Sequence, residues 1–235
     1  MIVPYVLTAC GAAMLCVFLR ERVKKGACAS AAVLKSIVSL LFIFTAITAS
    51  VIEGKTVYGL LILSGLILGM LGDIWLDLKY AHPESEKVYT YAGFAVFGIG
   101  HIFYAAAMIT FFYIRGNIKF IIIPLAVSVI AAVLNIFGED VMKIKYGQYK
   151  AIAIIYTVFV FSLPALAISF AIQNSFKCVP VNMMAVAGIF FVVSDLILSG
   201  TYFGEGKNRP VDVITNHATY YIAQFIIALS ICFVK

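Results

Sequence analysis

Charge is what this sequence has least of. Of 235 residues only 12% are Asp, Glu, Lys or Arg, while 63% are hydrophobic, and the mean hydropathy is +1.06. A soluble domain of this length needs far more polar surface to cover its exterior. The composition therefore excludes one. Cysteine is scarce as well. Cys10, Cys16, Cys28, Cys178 and Cys232 form no CxxC pair and lie near no second Cys or His at ligand spacing. Neither a disulfide framework nor a zinc site is supported, and the five read as small apolar fillers. No GxSxG elbow occurs, and Ser194 beside Asp195 is not a triad. The first six residues carry no basic side chain, so Leu7–Gly11, a lipoprotein-like box, lacks the leader it would need. The formal charge of +6 is a weak pointer to an anionic polymer. The basic residues sit in short loops, where they set membrane topology, so no nucleic-acid partner is expected.

What is present is a series of long apolar runs that do not alternate with polar residues. They fall at about 2–19, 31–51, 58–78, 90–112, 118–136, 149–173, 181–200 and 212–234. About 20 apolar residues cross a hydrocarbon core of roughly 30 Å as a helix. In lipid every backbone polar group must be paired internally, and barrel strands would be shorter and alternating. The expectation is an all-α fold, a single eight-helix transmembrane domain over 1–235. The short connections predict antiparallel neighbours. Small residues recur at Gly65, Gly69 and Gly72, and at Gly93, Gly98 and Gly100, where close helix packing explains them.

Orientation is read from the basic residues. Arg20, Arg22, Lys24, Lys25, Lys35, Lys79, Lys87, Lys143, Lys145, Lys150, Lys207 and Arg209 lie on one side. Lys55, Arg115, Lys119, Lys177 and Lys235 lie on the other. Positive residues favour the cytoplasm, so both termini are expected outside. A bacterial plasma membrane is the favoured location, with an internal eukaryotic membrane open. The oligomeric state is not legible.

Ionisable groups inside spans are costly and usually face a bundle interior or a cavity. Here they are Lys35, Asp73, Asp77, His101, Asp195 and His217, with Tyr104, Asn135, Tyr156, Ser194, Tyr220, Tyr221 and Gln224 as neutral company. Asp73 lies five residues, or roughly 8 Å, from the inner end of its span. Asp195, Lys35 and the run from His217 to Gln224 fall at a similar depth, and His101 lies nearer the midplane. His101 and Tyr104 share a face. So do His217, Tyr221 and Gln224. The pattern predicts a polar pocket toward the cytoplasmic leaflet. Asp77, at the boundary, reads as a solvated helix end.

Gly72-Asp73 with Leu76, the run FGIGHIFY from Phe97 to Tyr104, FVVSDL from Phe191 to Leu196 and TYYIAQ from Thr219 to Gln224 together resemble the lysoplasmalogenase, or YhhN-like, family of membrane proteins. Lys35 at the start of the second span fits the same pattern. The resemblance implies hydrolysis of the vinyl-ether bond of a lysoplasmalogen, a lysophospholipid, to a fatty aldehyde and glycerophosphocholine or glycerophosphoethanolamine. It implies Asp73 and Asp195 as the acid–base pair. No cofactor is expected and no metal is needed, although His101, Asp73 and Asp195 together could hold one. Lys35, His101, Tyr104, Ser194, Tyr220, Tyr221 and Gln224 are then substrate-binding candidates. The chemistry suits two carboxyl groups. A vinyl ether is protonated at carbon, giving an oxocarbenium ion that water captures. Glycosidases meet a similar cation with paired carboxylates. Two rival readings remain: a hydrolase of another lysophospholipid, and a proton-coupled transporter, since membrane carboxylates also relay protons.

Overall fold

The computed structural model describes residues 2–54, 56–114, 116–204 and 208–234. Lys55, Arg115, Lys207 and Lys235 of the charge pattern lie outside the described residues. The helices are α1 (Ile2–Lys25), α2 (Ala29–Glu53), α3 (Thr56–Ala81), α4 (Glu86–Phe112), α5 (Lys119–Phe137), a single turn α6 (Glu139–Met142), α7 (Lys150–Gln173), α8 (Val179–Phe203) and α9 (Pro210–Ser230). Among the described residues there are thus eight long helices, at the eight expected positions. Seven are long and apolar enough to cross a membrane. The last, α9, is not among them, because it carries Asp212, Asn216, His217 and Gln224 along 21 residues.

Helix ends follow local chemistry. α1 runs past the apolar limit to Lys25, with Arg22, Lys24 and Lys25 in its last turn, where cations favour the negative end of the helix dipole. α2 stops at Gly54, whose φ of 62° is the left-handed conformation that glycine adopts without a Cβ penalty. α9 starts at Pro210, and the Asp212 carboxylate accepts the Arg209 backbone N–H at 3.0 Å, closing the first turn.

Consecutive helices pack antiparallel, α1 on α2, α2 on α3, α3 on α4, α7 on α8 and α8 on α9, while α4 lies beside α7 in the same direction, both starting at one end. α9 returns onto α1, α2 and α3, while α5 rests on α7. At one end, Tyr58 of α3 bonds Ser230 at the close of α9 (3.0 Å) and its ring meets Phe111 and Phe112 of α4. At the other end, Lys145 donates to the Phe203 carbonyl at 2.8 Å, and Tyr91 to that of Gln148. The segment after α5 therefore covers the end of α8. The stripe of small residues on α3 receives bulky partners. A Cβ on Gly65 would lie 2.2 Å from the Tyr104 ring, and one on Gly69 would lie 2.5 Å from the Gln224 amide. The close packing expected of these positions is thus used to seat polar side chains.

Candidate functional site

Toward the end of the bundle that holds the close of α1, α3 and α8 lies a cavity of about 310 Å³. Its walls include Lys35, Asp73, Asp77, Asp195, Tyr220 and His217. The two candidate carboxyl groups, from α3 and α8, thus line one space.

Asp73 is held from two other helices. Lys35 Nζ of α2 lies 3.1 Å from Asp73 Oδ1. Tyr220 of α9 donates to Asp73 Oδ2 at 2.9 Å, and Ser39 donates to the same oxygen at 3.3 Å. Lys35 is only 5% exposed and Asp73 6%. A buried carboxylate needs such company, since burying an unpaired charge is costly. Lys35 Nζ also sits 3.4 Å from Asp77 Oδ2, and Arg22 of α1 approaches Asp77 Oδ1 at 3.9 Å. This corrects the reading of Asp77 as a solvated helix end. Its side chain is 12% exposed and shares the Lys35 cation, because α1 and α2 close over that turn of α3.

A chain of hydrogen bonds stands behind Tyr220. Gln224 Nε2 donates to the Tyr220 hydroxyl at 3.0 Å, and the Tyr104 hydroxyl donates to Gln224 Oε1 at 3.0 Å. Tyr221 donates to the Lys35 carbonyl at 3.0 Å and pairs with Ser39 at 3.2 Å. These contacts fix α2, α4 and α9 around Asp73. Tyr104, Tyr221 and Gln224 do not line the cavity. They support the residues that do.

Asp195 has different company. Tyr156 of α7 donates to its Oδ2 at 2.8 Å, and among the described residues no Lys, Arg or His pairs with it. Beside it, Ser194 donates to the Asn216 carbonyl at 3.1 Å, and Asn216 Nδ2 donates back to the Ser194 carbonyl at 2.8 Å. This reciprocal pair pins α8 to α9. Ser194 and Asn216 both line the cavity.

His101 stands apart. It is buried and packs edge-on against Phe191 with ring centroids 4.5 Å apart, and neither ring nitrogen has a hydrogen-bond partner among the described residues. It does not line the cavity. His217 does, and its ring meets Phe18 at 5.0 Å. Among the described residues no group of three or more His, Cys, Asp or Glu is placed to hold a metal ion. Sequence reasoning missed Arg22, Ser39 and Asn216 as site residues. Arg22 is one of four basic residues at the close of α1, and nothing in that run of sequence singles it out.

The fold and site define a multi-pass helical membrane protein with a cavity bearing buried carboxyl groups. The YhhN family profile matches residues 30–231. The chain belongs to the YhhN family. No curated protein and no solved structure matches it.

Proposed function

We propose that this protein hydrolyses the vinyl-ether bond of lysoplasmalogens, with Asp195 as proton donor and Asp73 as the charge-stabilising base. The observation that carries this is the unequal company of two carboxyl groups lining one cavity. Asp73 meets a cation and two hydroxyl donors, the surroundings of a carboxylate. Asp195 meets one phenol on Oδ2, which leaves Oδ1 to present a proton. Membership of a family whose resemblance implies this activity supports the same reading.

The steps balance as a hydrolysis. Asp195 gives its proton to the vinyl carbon remote from oxygen, leaving an oxocarbenium ion. The Asp73 carboxylate stabilises that cation and takes a proton from the attacking water. The hemiacetal then collapses: Asp73 returns its proton to the departing glycerol oxygen, Asp195 takes the hemiacetal hydroxyl proton, and the fatty aldehyde and the headgroup product leave with both carboxyl groups restored. Overall, one water is consumed. Tyr220 holds Asp73 in place, and Tyr156 does the same for Asp195.

The cavity end carries Arg22, Lys79, Lys150 and Arg209, which under the positive-inside rule supports a site on the cytoplasmic side with both termini outside. The test is product analysis with purified protein. Aldehyde release from a vinyl-ether lysolipid in heavy water, with one deuterium on the carbon next to the carbonyl, is expected. An alkyl-ether analogue should yield none. Release of fatty acid from an ester lysolipid, without aldehyde from the vinyl ether, would replace this reading with a different lysolipid hydrolase. No product from any lysolipid would remove the enzyme.

A further inference from the structure

A second hollow adjoins the cavity. It measures about 730 Å³ and follows the seam between α2 and α3, framed by Ala32, Val33, Ile37, Leu40, Ile74 and Leu78. Val33, Leu40 and Ile74 are exposed on the outside of the bundle, where lipid would lie. Its polar members include Arg22, Lys35, Asp73 and Asp77, and all four also line the 310 Å³ cavity. The two hollows, one largely apolar and one polar, therefore share a wall at the charged cluster. Both volumes fall in the roughly 300–1,000 Å³ range of small-molecule sites.

Arg22 belongs to that wall. Its contact with Asp77 is 3.9 Å, too long for a hydrogen bond. Its guanidinium lies 5.3 Å from the Tyr80 ring centroid. Among the described residues its guanidinium donates no hydrogen bond, so its fork of N–H groups can take two phosphate oxygens.

We infer that the α2–α3 groove is the binding site for the single hydrocarbon chain of a lysolipid, whose phosphate sits in the cavity on Arg22 and whose first chain carbons lie at Asp73. The inference rests on the reading of the site as a lysolipid hydrolase and adds where each half of the substrate goes. Two openings of opposite polarity also suit the two products. The aldehyde leaves along an apolar groove into lipid, and the glycerophosphate headgroup leaves through a polar mouth to water.

The experiment uses the purified full chain in phospholipid nanodiscs and an alkyl-ether lysophospholipid with a diazirine at its chain end. This probe has no vinyl bond to cleave. Photolabelling is expected to saturate, to concentrate on peptides covering 29–40 and 74–81, and to be displaced by unlabelled lysolipid. Ala32→Trp should reduce it, and so should Val33→Trp, whose lipid-facing position tolerates a ring. Ile130→Trp, on the exposed face of α5, should not. Labelling that never saturates and spreads over all lipid-facing helices means bilayer contact only and overturns the inference. So does labelling unchanged in both groove variants. Aldehyde release is read separately. The groove variants should lower kcat/KM for long-chain relative to short-chain vinyl-ether lysolipids by about tenfold, or about 1.4 kcal/mol. Wild type that labels at the seam but releases no aldehyde keeps the groove and loses the hydrolase. Wild type that releases aldehyde but labels elsewhere keeps the hydrolase and loses the groove.

Discussion

Asp73 and Asp195 are the same residue type, yet their surroundings have little in common. Around Asp73, α2 and α9 converge on α3 to supply an ammonium group and two hydroxyls, and a further layer of Gln224, Tyr104 and Tyr221 holds those groups still. Around Asp195, α7 offers one phenol and no cation. The difference shows how a bundle with so few charges separates two carboxyl groups. A cation at one and its absence at the other set their environments apart, since water does too little in an apolar interior to level them.

Replacing Lys35 breaks this comparison most severely. Lys35→Met leaves Asp73 and Asp77 without their shared cation, and removing one member of a buried pair costs about 3–5 kcal/mol. Thermal unfolding in detergent should register a large fall in Tm. Lys35→Met/Asp73→Asn should recover part of it. Next comes the supporting layer. Gln224→Leu strands the Tyr104 hydroxyl and takes one donor from that of Tyr220, at about 1–3 kcal/mol for an unsatisfied buried group, and denaturant titration should measure that loss. Gly69→Val should mimic it, because its side chain would occupy the space of the Gln224 amide. Tyr156→Phe removes a single hydrogen bond from Asp195, at about 0.5–1.5 kcal/mol. Its Tm should fall far less than that of Lys35→Met.

The smallest effect belongs to an ion pair between the single-turn α6 and the first residue of α7. Lys150 and the Tyr146 N–H bind the Glu139 carboxylate at 2.5 and 3.0 Å. They hold its pKa below the usual glutamate value of 4.5. A depressed value means that this contact stabilises the fold above the usual pKa and is lost as pH falls through the folded one. Lys150 is 47% exposed, so the contribution is at most about 1 kcal/mol. Comparing acid-induced Tm loss in wild type and Glu139→Gln should reveal only a slight difference.

The eight long helices were legible because each is a local run of apolar residues of sufficient length. Asp73, Asp195, Lys35, Ser194 and Tyr220 were legible as cavity residues because polar groups are rare in such runs and their depth can be counted along a helix. What was not legible is the pairing across helices. Nothing near Asp77 in the chain says that Lys35 and Arg22 close over it, and nothing near Asn216 says that it faces Ser194. His101 shows the converse. Its place in a polar-looking motif suggested a site, but its ring packs against Phe191 behind the cavity wall. The ends of α1 and α3 run past their expected limits because a helix continues beyond the apolar stretch where its last turn carries basic residues.

The central claim is that Asp73 and Asp195 act together in one cavity. Aldehyde release from a vinyl-ether lysolipid by wild type, Asp73→Asn, Asp195→Asn and the double variant tests it most directly, with folding checked by Tm. Each single variant should lose at least about 100-fold in kcat, and the double should be no slower than the worse single, because groups acting as a unit are not additive. Wild-type rates in either single variant, or losses that multiply in the double, would contradict the account.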